Sequence, residues 1–244
     1  MKPTPSNHAR ATIIAARVFG GTSLLAFGVF LLWSPFQVFD LNLETANALV
    51  VDGCLCLAFF FQHSVMVRKS FQNRIAAFVP IHFGGAIYAI SSGVVLLVLI
   101  FLWQPTAPTL VSVGGSGRWI IRAFCLVALY GFVWSVWALG SFDAFGTRPI
   151  SAHLAGKKLK TQPLTIRGPY KWVRHPLYSC VLILLWCTPD ITADRILLIT
   201  TWTVWVFIGT ILEERDLVSV FGAEYREYQR NVPMLIPLRL SRSG

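Results

Sequence analysis

Charge is what this sequence most lacks. Only 13% of its 244 residues are Asp, Glu, Lys or Arg, about half the ~25% of an average soluble domain. With 55% of residues hydrophobic, that scarcity excludes a disordered chain, a collagen-like fibre and an ordinary soluble enzyme. Cysteine is sparse too. Cys54, Cys56, Cys125, Cys180 and Cys187 make an odd set without a CxxC pair, so neither a disulfide framework nor a zinc site is indicated. No three histidines stand at metal-ligand spacing, and the expectation is that no metal is bound. A cleavable leader is not indicated, because the apolar run 18–33 meets Asp40 and Glu44 without a small-residue cleavage site.

What the chain does have is long uncharged runs: 18–39, 75–117, 123–142, 175–189 and 196–212. About 20 apolar residues cross a ~30 Å hydrocarbon core. The runs predict an all-α integral membrane protein with about five to six transmembrane helices, near 12–33, 46–66, 82–103, 118–141, 176–188 and 194–213. The fifth reaches only ~20 Å at 1.5 Å per residue, so it is expected to form a shallow C-terminal hairpin with the sixth. All 21 basic residues except Arg118, Arg122 and Arg195 fall on one side of these helices. That is the positive-inside pattern with both termini cytoplasmic. The net charge of +10 is therefore read as topology and contact with anionic lipid headgroups, not as nucleic-acid binding, since no basic helix face or aromatic–basic module is present.

The chain divides into 1–141, the first four membrane helices, and 142–244, a cytoplasmic loop, helical hairpin and amphipathic tail. In the tail, Val218, Phe221, Tyr225 and Tyr228 at helical spacing predict one amphipathic helix ended by Pro233 and Pro237. Gly20-Gly21 and Gly84-Gly85 permit either close helix approach or a bend. Polar residues gather at one level: Arg174, His175 and Tyr178 open the fifth helix, and Glu213 and Glu214 close the sixth. Ionisable groups at such a depth mark a functional site. The alternative is an Arg174–Glu ion pair that pins the hairpin. Adjacent glutamates point about 100° apart on a helix, so at most one faces a shared pocket.

The string Arg174-His175-Pro176-Leu177-Tyr178 followed by Glu213-Glu214 resembles the signature of the membrane methyltransferase superfamily, which includes the isoprenylcysteine carboxyl methyltransferases, the phospholipid N-methyltransferases and the NnrU-like proteins. Gly168-Pro169-Tyr170 upstream and Phe221-Gly222, Tyr225, Tyr228, Val232-Pro233 and Ile236-Pro237 downstream match it as well. The resemblance implies a cytoplasmic pocket for S-adenosyl-L-methionine lined by Tyr170, Arg174, His175, Pro176, Leu177, Tyr178, Glu213 and Glu214, with Gln162, Leu164 and Thr165 contributing through the 162–165 segment. Carboxylate and aromatic faces suit a positively charged sulfonium. The family's small glycine two residues after the tyrosine is Cys180 here, which implies a tighter wall.

A finer resemblance, to the bacterial methanethiol S-methyltransferase branch, rests on Gln62-His63-Ser64-Val65-Met66, on Phe142-Asp143-Ala144-Phe145-Gly146 with Arg148, and on Thr188-Pro189-Asp190-Ile191-Thr192. The pair before Phe142 is Gly140-Ser141, where that branch has Asn-His. Isoprenylcysteine enzymes carry an arginine one turn before the first glutamate; here the position is Gly209. A carboxylate acceptor would lose a charge-assisted partner of about 1.5–3 kcal/mol there. The expectation is methylation of a small thiol in a bacterial inner membrane, with membrane lipids around it and an oligomeric state left open. His63 and Asp143 are the candidates for orienting or deprotonating the thiol. Each has a plainer alternative: a helix-end hydrogen bond for His63, pairing with Arg148 for Asp143. A lipid or isoprenylcysteine-type acceptor and a non-catalytic NnrU-like protein are the competing readings.

Overall fold

The structure, a computed structural model, describes residues 5–33, 37–140, 142–159 and 163–238. In chain order the helices are α1 (Pro5–Trp33), α2 (Thr45–Met66), α3 (Lys69–Ile75), α4 (Gly84–Leu102), α5 (Gly115–Leu139), α6 (Arg148–Leu154), α7 (Pro176–Trp186), α8 (Ala193–Phe221) and α9 (Ala223–Asn231). Two-residue strands β1 (Val111–Ser112) and β2 (Asp190–Ile191) pair antiparallel, with Val111 opposite Ile191. Among the described residues, five helical segments are long and apolar enough to cross a membrane: Asn7–Trp33, Thr45–Met66, Ile81–Leu102, Gly115–Leu139 and Ala193–Phe221. The chain is an all-α membrane protein. The sixth apolar helix, α7, has 11 residues and reaches only about 16 Å, as its short uncharged run predicts.

The chain forms two compact units. One comprises residues 1–107 and 143–161, the other 108–142 and 162–244. In the first, α1 and α4 pack through small residues. Ala9, Ala16, Ala86 and Ala89 are buried together with Ile150 of α6. The two helices approach closely at Gly93, where a methyl group would stand 2.7 Å from the Phe19 carbonyl oxygen, and Gly20 of α1 also meets the Phe145 ring before α6, which a methyl there would approach to 2.6 Å. Gly20 thus serves close packing, the first of the two options its sequence left open. At the other end of α4, Gln104 ties the chain together. Its backbone N–H donates to the fully buried Asp52 carboxylate at 2.9 Å, and its side chain bonds Leu41 N–H and the Phe39 and Leu102 carbonyls.

In the second unit α5 packs against α7, α7 against α8, and α8 against α9. Leu184, Leu185, Leu198, Trp202 and Val206 are buried there. Arg118 makes a two-pronged ion pair with Asp190 at 2.6 and 2.7 Å, and Ser112 adds a 2.6 Å hydrogen bond. The β1–β2 ladder and this clasp hold the α7–α8 turn to the start of α5. The amphipathic tail departs from the single helix expected. Gly222, at φ +58° and ψ −123°, breaks it in two, a conformation open essentially to glycine alone. Helix α8 therefore continues to Phe221, and α9 folds back separately. Tyr225, Tyr228 and Val232 then pack against Leu164, Leu217, Val218 and Phe221.

Candidate active site

The site lies within the second unit, where α7 begins. Pro176 occupies the first turn of α7 and His175 its N-cap position. Proline suits that position because it lacks an N–H that would go unpaired there in any case. The backbone amides just before the helix are taken up by the chain's last described segment. Arg174 N–H donates to Pro233 O at 2.9 Å, His175 N–H to Met234 O at 3.1 Å, and the Ser179 hydroxyl to Leu235 O at 2.6 Å. Just upstream, residues Gly168–Lys171 form a 3-10 turn. Its buried Tyr170 offers its carbonyl to the Tyr228 hydroxyl at 2.5 Å.

Helix α8 presents the two glutamates differently. Glu213 lies 20 residues beyond Ala193, or ~30 Å along the axis, at the depth where a membrane core ends. Glu214 is the hub of a buried network. Arg174 Nε and a terminal nitrogen donate to its two oxygens at 2.5 and 2.8 Å, Gln229 Nε2 donates at 3.0 Å, and the Tyr225 hydroxyl at 3.3 Å. His175 Nε2 stands 3.2 Å from the same carboxylate. A carboxylate only accepts, so Nε2 carries the proton. Arg174 also donates to the carbonyls of Gln229 and Val232. The Arg174 and Glu214 side chains are only 9% and 12% exposed. The pinning ion pair foreseen as an alternative is present, and Glu214 is its carboxylate.

Glu213 is the other kind of residue. It is 43% exposed, and one oxygen accepts from the Tyr178 hydroxyl at 2.6 Å. His175 Nδ1 lies 3.9 Å from that oxygen. The His175 and Tyr178 rings stack at 5.6 Å and 11°, forming an aromatic wall beside a carboxylate whose second oxygen has no hydrogen-bond partner among the described residues. The phenols around it stay protonated donors. Burial pushes Tyr170 and Tyr225 above their ordinary range and Tyr228 up to about 12.

Of the other residues named from the sequence, Pro176 is buried, and Leu177, Leu164 and Thr165 are half-buried. Gln162 lies outside the described residues. Cys180 faces α5, its sulfur 3.1 Å from where a methyl on Gly131 would be, so the larger residue on α7 is met by a glycine. His63 and Asp143 belong to the first unit. The Tyr88 hydroxyl lies 2.7 Å from His63 Nε2. Asp143 accepts from the backbone N–H groups of Thr147 and Arg148 at 3.0 and 2.8 Å and so holds the start of α6. Sequence reasoning missed Gln229 and the Val232, Pro233 and Met234 carbonyls. The tyrosine spacing of the tail was the signal that this segment packs, but nothing in it said against what.

Residues 119–224 match the family model for phospholipid methyltransferases. The chain is 38% identical to methanethiol S-methyltransferase of Pseudomonas deceptionensis over 197 residues, covering 78% of this chain and 73% of that one. It is 33% identical to methanethiol S-methyltransferase 1 of Bradyrhizobium diazoefficiens over 245 aligned positions, covering 94% and 81%. Nurim of Rattus norvegicus is more distant, at 24% over 185 residues, covering 70% and 68%. No solved structure matches the chain.

Proposed function

Because the chain belongs to the family of membrane methyltransferases that includes the methanethiol S-methyltransferases, we propose that it transfers a methyl group from S-adenosylmethionine to a small thiol, converting methanethiol to dimethyl sulfide. The observation that carries the donor assignment is the contrast between the two glutamates. Glu214 is consumed by Arg174, His175, Tyr225 and Gln229, whereas Glu213 is half-exposed, holds one phenol and flanks a stacked aromatic pair. These residues fit a cationic ligand: a carboxylate with a spare oxygen and aromatic faces attract positive charge, and the half-buried Leu177 and Leu164 suit a nucleoside's apolar faces.

On this reading Glu213, Tyr178, His175, Tyr170 and Leu177 hold the donor, with Leu164 and Thr165 alongside. Arg174 and Glu214 fix the position of His175 and of the tail. When bound there, S-adenosylmethionine would supply an electrophilic methyl group for the thiol sulfur. The chain's own tasks are alignment, exclusion of water and removal of the thiol proton. His63, with a ring nitrogen at Tyr88, and Asp143 are the residues whose variants test the proton step.

The basic loops support a bacterial inner-membrane placement with both termini cytoplasmic. A second reading, a lipid acceptor, is favoured by the match of 119–224 to phospholipid methyltransferases. Membranes containing the protein, given methyl-labelled S-adenosylmethionine and methanethiol, separate the two. Label in the headspace that requires both the thiol and an intact Glu213 supports thiol methylation. Label in the lipid fraction with the headspace at background overturns it.

A further inference from the structure

Methylation of a neutral thiol needs a base, and the second unit holds one that the family resemblance assigns to donor binding alone. His63 and Asp143 lie in the first unit, whereas the proton must leave the thiol where acceptor and donor meet. His175 stands among the donor residues themselves. It occupies the N-cap position of α7 with a side chain only 5% exposed, and its two ring nitrogens have different surroundings.

Nε2 donates to Glu214 at 3.2 Å, with the Tyr225 hydroxyl of α9 at 3.5 Å. Arg174 and Gln229 donate to the same carboxylate and hold it in place. A carboxylate that keeps the proton on one ring nitrogen leaves the lone pair on the other. Nδ1 makes no hydrogen bond among the described residues, and it is not one of the unpaired polar atoms shut off from solvent. It faces Glu213, 3.9 Å from the oxygen that accepts from Tyr178. That separation is too long for a hydrogen bond, and both atoms are acceptors. The place between them suits a ligand that brings a proton.

We propose that His175 Nδ1 is the base that takes the proton of the acceptor thiol, with Glu214 as its positioning residue. The S–H bond breaks, its electron pair stays on sulfur as a thiolate, and the proton becomes the Nδ1–H of an imidazolium. That cation lies between the carboxylates of Glu213 and Glu214, with Arg174 on the far side of Glu214 and the Tyr178 and Tyr225 hydroxyls alongside. Half-exposed Glu213 gives the proton its way out to water. A histidine oriented by a third group beside the atom it deprotonates is a recurring way to activate a nucleophile. This assignment rests on the thiol reading given above and names the group that makes the thiol reactive.

Two measurements on the full chain in nanodiscs test it. Nitrogen NMR of histidine-labelled protein, without donor or thiol, reads the tautomer: the signals lost in His175→Gln should show a protonated Nε2 and a bare Nδ1. A protonated Nδ1 overturns the assignment. The kinetic test compares methanethiol with methaneselenol, which is ionised at neutral pH and needs no base. Wild-type kcat/KM for methanethiol should level off by about pH 8, where histidines are neutral. A rise that continues tenfold per pH unit beyond that point is thiol ionising in water, and it overturns the base. His175→Gln should lose about a hundredfold more with methanethiol than with methaneselenol, since any loss of donor affinity is common to both. Equal losses overturn the base and leave the thiol reading standing; turnover of neither acceptor by the folded wild type overturns both. The wild-type profile decides by itself if the variant does not fold.

Discussion

Glu213 and Glu214 are neighbours in sequence, yet replacing each with glutamine should produce different failures. Glu214→Gln keeps the shape and one acceptor oxygen but removes the charge facing Arg174, whose side chain is 9% exposed. Breaking a buried ion pair from one side costs about 3–5 kcal/mol. The retained oxygen and the carbonyls of Gln229 and Val232 that Arg174 still reaches put the expectation at the lower end, about 3 kcal/mol. Glu213→Gln weakens one phenol hydrogen bond at a side chain 43% exposed, about 1 kcal/mol. At roughly 2–4 °C per kcal/mol for a chain of this size, the melting temperature read by tryptophan fluorescence should fall by about 6–12 °C for Glu214→Gln and about 2–4 °C for Glu213→Gln. Equilibrium dialysis of labelled S-adenosylmethionine should show the reverse order among folded protein, with Glu213→Gln losing at least tenfold. A Glu214→Gln protein as stable as the wild type, or a Glu213→Gln protein with full donor affinity, refutes the division of labour.

Two further outcomes follow from packing and titration. Gly93→Ala places a methyl 2.7 Å from the Phe19 carbonyl and should destabilise the α1–α4 pair by about 1–3 kcal/mol, whereas Gly28→Ala, with open space around it, should be neutral or slightly stabilising; paired thermal melts check both. Arg118, by its hydrogen bond, and then Ser112 hold the Asp190 carboxyl below its ordinary value of 3.8. A depressed folded value means that this contribution is complete above pH 3.8 and is lost as pH falls through the lower folded value. The protection of the Leu110 and Val113 amides against exchange, taken relative to a free peptide at the same pH, should therefore fall only below about pH 4, since these amides bond the Ile191 and Pro189 carbonyls. Protection that is already falling near neutrality contradicts the clasp.

The membrane helices were legible because a helix in hydrocarbon must be apolar along its whole length, so runs such as 75–117 and 196–212 announce it without any tertiary information. The shortness of α7 followed from the same count. Helix ends were less legible. The run of α8 ends at Leu212, yet the helix continues to Phe221 because Glu214 finds buried partners in Arg174 and Gln229, which apolar counting cannot foresee. Gly222 looked compatible with one amphipathic helix, since the spacing of Val218, Phe221, Tyr225 and Tyr228 carries no sign of φ. In the same way, 100° of helical rotation established that the two glutamates differ but not which of them Arg174 would take. That choice depends on carbonyls at Gln229 and Val232, more than fifty residues from Arg174.

The distance in sequence between Arg174 and what holds it has a consequence for biogenesis. The guanidinium leaves the ribosome 40 residues ahead of Glu214 and 58 ahead of Val232. Helix α7 therefore waits during synthesis, with its cation and its leading amides unanswered, while α8 is threaded into the bilayer. The pocket closes only when the 232–235 segment arrives. The network around Arg174 is thus incomplete until the 232–235 segment has been made, and quality-control proteases that meet α7 unclasped would have a direct reading of whether that network has been built.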